Sequence, residues 1–84
     1  MTEYRPIDCG AYDYLEKACM DNYRIDLQLE DGVVSGTADG LETRDGQEFL
    51  RITTHTRTEL IRIDRIRRMI VLTHPARFAS HDFR

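Results

Sequence analysis

The side chains able to do chemistry in this chain are three histidines, two cysteines, a run of arginines and a set of carboxylates. Hydrolysis needs a nucleophile beside a base, or two carboxylates facing one another in a pocket, and no pattern of either kind is present. His55 falls in a connecting stretch, His74 directly before Pro75, and His81 near the C-terminal end. None stands at a zinc-ligand spacing from another histidine or from Cys9 and Cys19, so solvated or capping roles are expected for all three. Cys9 and Cys19 are not a CxxC pair and read as small, reduced, buried hydrophobes. The five glycines are scattered among turns and form no phosphate loop. The chemistry left is binding: no enzymatic activity, cofactor or metal is expected.

Two charged groupings suit binding. Asp13 and Glu16, with Met20, fall on one side of a predicted helix. Arg62, Arg65, Arg67 and Arg68 form a basic strip that could follow a phosphate backbone, or could be a solvated strand edge answered by Glu59 and Asp64. The net charge of −3 conceals a division along the chain. Residues 1–31 hold eight acids and three bases, and residues 51–84 hold eight arginines and three acids. Net acidity opposes nucleic-acid binding, because carboxylates near a phosphate contact reduce the gain from counterion release.

These groups must be positioned by a small scaffold. At 84 residues, 40% hydrophobic and 32% charged, the chain fits one domain, 1–84, whose thin core leaves little room for a deep catalytic pocket. No segment approaches the ~20 apolar residues of a membrane helix. The polar start, Met1 to Arg5, lacks the basic-then-apolar order of a signal peptide, so a cytoplasmic protein without membrane contact is expected.

An extended lead over 1–9 precedes a helix within 10–22, which Asp8 or Gly10 can cap. At about 100° per residue, Ala11, Tyr14, Leu15, Ala18 and Cys19 form a core-facing stripe with Tyr12 at its border. Asp13, Glu16, Lys17 and Met20 fall opposite, where Asp13 and Lys17 can pair across one turn. From Tyr23 the period becomes two, with Tyr23, Ile25, Leu27 and Leu29 facing one way. Asp31-Gly32 predicts a hairpin turn. The next strand, Val33 to Asp39, is bent near Gly36 and ended by Gly40. Asp45-Gly46 turns into a third strand, Gln47 to Thr54, with Phe49 and Ile52 inward. Two further strands, Glu59 to Ile63 and Arg68 to Thr73, flank a corner at Asp64 to Ile66, and 76–84 reads as a loose tail. The expectation is mainly β with one N-terminal helix (α+β): five bent strands, 23–75, curled into a small Sm-like barrel whose end the helix plugs.

The opening of the chain carries a resemblance. Tyr4-Arg5-Pro6-Ile7-Asp8-Cys9, followed after two residues by Tyr12-Asp13-Tyr14-Leu15-Glu16-Lys17-Ala18-Cys19, resembles the start of the Rho-binding antiterminators of the Rof type at every specified position. Leu27 to Gly32, Glu48-Phe49-Leu50, Asp64-Arg65-Ile66 and Thr73-His74-Pro75 continue it more weakly. The resemblance implies an Sm-like barrel and a monomeric bacterial inhibitor that docks on the transcription termination factor Rho. It also implies competition with RNA at Rho's N-terminal domain without direct nucleic-acid binding. Carried over by motif, Asp13 and Glu16 are the leading partner-binding residues, followed by Tyr12 and Asp8. Lys17 and Met20 are added from helical position alone. The alternative is an Sm-like RNA-binding module using the Arg62 to Arg68 strip.

Overall fold

The computed structural model describes residues 9–83. One helix, α1 (Cys9–Met20), is followed by β1 (Arg24–Leu29), β2 (Gly32–Arg44), β3 (Gln47–Thr53) and β4 (Thr58–Arg62). A 3-10 turn at Ile63–Arg65 leads into β5 (Ile66–Val71) and then β6 (Ser80–Asp82). The strands form a single antiparallel sheet in the order β4-β3-β2-β1-β5-β6.

The helix stops at Met20 rather than running to Asn22. Asn22 adopts a left-handed φ of 49°, its N–H donates to the Cys19 carbonyl at 3.2 Å, and the Tyr23 N–H donates to Ala18 at 2.9 Å. This is the paired closure of a Schellman cap, and asparagine accepts the left-handed position better than most residues. Tyr23 and Ala18 are both buried, so the cap also turns the chain directly into the sheet.

In β1, Ile25 and Leu27 are buried while Arg24 is exposed, as alternation predicts. The first hairpin pairs Leu29 with Gly32, so its loop residues are Glu30 and Asp31, one position before the expected pair. The second hairpin is as read: Arg44 pairs with Gln47, and Asp45 and Gly46 take φ of 52° and 75°. Positive φ at both central residues is what a tight primed turn requires.

β2 is the strand that shapes the sheet. Its first half pairs with β1, its second half with β3, and Thr37 is registered with both Arg24 and Thr53. The strand continues through Gly40 to Arg44 instead of ending there. A bulge leaves Asp39 unmatched between Ala38 and Gly40, re-aiming the side chains beyond it. Gly36 marks a close approach: a Cβ there would lie 2.5 Å from the Thr53 carbonyl oxygen. On β3 the inward residues are Leu50 and Ile52, and Phe49 is half-buried. Phe49 and Ile52 sit on opposite faces of a regular strand, so only one of them could face inward.

The fifth strand, β5, begins at Ile66, two residues earlier than expected. A register shift opposite Gln28 and Leu29 leaves Arg67 unmatched, so Arg67 and Arg68 are both exposed between buried Ile66 and Met69. The tail is not loose. Ser80–Asp82 forms a sixth strand on the free edge of β5, and Phe78 and Phe83 pack against the core. The strands thus number six rather than the expected five, in an open sheet with β4 and β6 at its edges. Leu15 and Ala18 of α1 close the core over Ile25, Leu27, Leu50 and Met69.

Candidate partner-binding site

Helix α1 divides as its sequence predicts. Ala11, Leu15 and Ala18 are buried, Tyr12, Tyr14 and Cys19 are half-buried against the core, and Asp13, Glu16 and Met20 are exposed. Met20 is 72% exposed. Asp13 and Glu16 are three residues apart, which places their Cβ atoms about 5–6 Å from each other on one face. The expected Asp13–Lys17 pair is absent: Lys17 is half-buried and its Nζ stands 5.4 Å from the centre of the Tyr14 ring. Among the described residues neither Asp13 nor Glu16 takes part in a salt bridge. The structure thus joins Asp13, Glu16 and Met20 on one surface, with Tyr12 and Lys17 at its margins. Asp8 lies outside the described residues.

The carboxylate surface is next to a second group that the sequence reading missed. Asp39, thrown out by the β2 bulge, accepts from Arg51 Nε at 3.0 Å, and Arg51 Nη1 reaches Glu42 at 3.3 Å. Arg44 Nη2 stands 3.3 Å from the other Glu42 oxygen, which is buried and, among the described residues, makes no hydrogen bond. Cys19 records how close this network is to the helix. Burial pushes its thiol up to about 11, helped by the negative charges of Asp39 and Glu16, against the smaller opposing effects of Arg51 and a Gly40 backbone hydrogen bond. Glu16, Cys19 and Asp39 therefore share one seam between helix and sheet. The signal in the sequence was the Ala-Asp-Gly run at 38–40, which marks a bulge as readily as a strand end.

The C-terminal aromatics were also missed. His81 stacks on Tyr14 with ring centres 4.0 Å apart and planes 16° from parallel, and Phe78 meets Tyr14 edge-on at 4.9 Å. Arg77 ties the same segment down through Asp21, at 3.0 Å, and through its N–H donated to the Tyr23 hydroxyl at 2.7 Å. Aromatic or imidazole rings at 78, 81 and 83 were the available signal.

The arginine strip is split. Arg62 donates to both oxygens of Asp64, at 3.1 and 2.7 Å, and Arg68 grips both oxygens of Asp82. Arg65 and Arg67 remain exposed and, among the described residues, outside any salt bridge. His55 and His74 are exposed, and among the described residues no group of three or more His, Cys, Asp and Glu converges to hold a metal ion. Among the same residues no helix is long and apolar enough to cross a membrane.

A family model for modulators of Rho-dependent transcription termination, ROF, matches residues 6–83. The chain belongs to the ROF family. It is 36% identical over 64 residues to Protein rof of Escherichia coli (strain K12), covering 75% of this chain and 76% of that protein, and equally similar to Protein rof of Shigella flexneri. Among solved structures it is similar to YaeO bound to magnesium from Vibrio cholerae O395. The TM-score is 0.80 and the identity 27%, over 87% of this chain and 97% of the other. Members of the ROF family regulate transcription termination and are not enzymes. Rho is accordingly the partner that membership implies.

Proposed function

We propose that the chain opposes Rho-dependent termination by laying the exposed face of α1 on the RNA-binding N-terminal domain of Rho and occupying the place of RNA. A cleft that holds RNA must present lysines and arginines to phosphates, and carboxylates can take the same donors. The observation that carries this reading is the pair Asp13 and Glu16: exposed, adjacent and, among the described residues, outside any salt bridge. Met20 and Tyr12 supply apolar contact beside them, which excludes water and strengthens the charged pairs. The mechanism is stoichiometric, by a monomer that does not itself hold RNA. The sheet, in which the first five strands of the chain lie side by side in the order β4-β3-β2-β1-β5, is a variant of a strongly bent Sm-like barrel.

Two of the four arginines in the strip are committed to Asp64 and Asp82, which favours the inhibitor reading over an RNA-binding module. Magnesium is named for the Vibrio cholerae relative. With no converging set of three or more ligands among the described residues, no step of this proposal passes through a metal.

Capture of the chain on immobilised Rho, with and without single-stranded RNA, tests the proposal. RNA should displace the chain in proportion to its own occupancy of Rho, and capture that is indifferent to saturating RNA contradicts competition. Titrating labelled RNA with the chain alone at about 50 and 200 mM salt separates the two readings, since an RNA reader binds with a steep salt dependence.

A further inference from the structure

Helix α1 presents the acidic face, and the side of the helix next to that face is held by the opposite end of the chain. Tyr14 is the neighbour of Asp13 and stands two residues before Glu16. The His81 ring lies flat on it, and Phe83 meets His81 edge-on with ring centres 4.8 Å apart. These rings arrive on and directly after β6, a strand of three residues paired on one edge only. A strand so short has little stability of its own. Its place is fixed from outside the aromatic stack, by Arg68 on Asp82 and by the Phe83 N–H donated to the Arg67 carbonyl at 2.8 Å.

We propose that residues 77–83 are a strap that sets the angle of α1, with His81 as a positioning residue that acts through Tyr14 to aim Asp13 and Glu16 at Rho. This rests on the acidic-face reading above. Charged recognition depends on placing both carboxylates together against fixed donors, so a helix free to rock loses affinity although each carboxylate survives. Leu15 and Ala18 remain locked in the core when the strap loosens. Loss of aim is therefore separable from loss of fold. The strap also gives Arg68 a role: it anchors β6, and the basic strip is part of the scaffold for an acidic surface.

The test uses the full chain with His81→Ala, His81→Phe and, as a variant that leaves the rings intact, Arg68→Gln. Each is assayed for competition with RNA on Rho and for amide hydrogen exchange. His81→Ala should weaken competition roughly three- to tenfold and speed exchange in α1 and β6 while β1 to β3 keep wild-type protection. His81→Phe, which preserves a flat ring on Tyr14, should restore both within about twofold. Arg68→Gln should act in the same direction as His81→Ala. Wild-type competition by His81→Ala, failure of His81→Phe to rescue it, or faster exchange spread evenly over the whole sheet would each overturn the strap. A failure of the acidic-face reading appears elsewhere: Asp13→Lys with Glu16→Lys would then compete normally, while the exchange pattern in α1 still decides the strap.

Discussion

Arg62 and Asp64 form a two-pronged ion pair across the corner between β4 and β5, with Nε to Oδ1 at 3.1 Å and Nη2 to Oδ2 at 2.7 Å. Asp64 is only 4% exposed, so its charge has been withdrawn from water and depends on the guanidinium. Removing the carboxylate takes its two-pronged ion-pair partner from an Arg62 side chain that is itself only 16% exposed. Asp64→Ala should therefore cost about 3 kcal/mol in urea unfolding, near the lower end for broken buried pairs. A loss below about 0.5 kcal/mol would place the pair among ordinary surface ion pairs.

The close approach at Gly36 gives a second expectation. A methyl group added there meets the Thr53 carbonyl oxygen at 2.5 Å and an Ile52 side-chain carbon at 2.9 Å, and a backbone oxygen in a ladder cannot swing aside. Gly36→Ala should lower stability by about 2 kcal/mol, seen as a fall in melting temperature of several degrees. At Gly46, where φ is 75° and the space is open, alanine meets only backbone strain and should cost about 1 kcal/mol. Equal effects at the two sites would show that β2 and β3 can separate at no cost.

The half-buried thiol of Cys19 supplies a chemical readout of the helix–sheet seam. With its pKa pushed from 9.0 to about 11, its thiolate population at pH 8 is roughly 100-fold below that of a free thiol, and alkylation should slow accordingly. The sign for stability follows from linkage. The unfolded chain ionises this thiol near pH 9 and the folded chain does not, so the stabilising difference is complete below pH 9 and is lost as pH rises towards 11. Labelling Cys19 with an alkylating reagent in a variant carrying Cys9→Ser measures the rate. Reaction as fast as a free thiol would mean that the seam is open.

Much of this molecule was legible because its signals are periodic. The helical stripe of Leu15 and Ala18, the alternation of Tyr23, Ile25 and Leu27, and the turn at Asp45-Gly46 follow from spacing and from the need for positive φ, and the structure keeps them. What failed were features set by a single extra residue. The bulges at Asp39 and Arg67 shift side-chain parity without changing composition, which displaced the start of β5 and carried Asp39 onto the helix seam. β6 escaped notice because three polar residues, Ser80 to Asp82, are a strand only where β5 offers a free edge. At the site, Asp13, Glu16 and Met20 could be placed from helical geometry. The stacking of His81 on Tyr14 could not, because that ring is delivered from the other end of the chain.

The central claim is that the α1 carboxylates take the seats of RNA phosphates on Rho, and displacement of labelled single-stranded RNA from purified Rho measures it most directly. Asp13→Lys with Glu16→Lys should raise the concentration needed for half displacement at least about 100-fold, since each reversal sets like charges together. The melting temperature should stay close to wild type, because both positions are exposed. Displacement at wild-type potency by the correctly folded double variant would contradict the account.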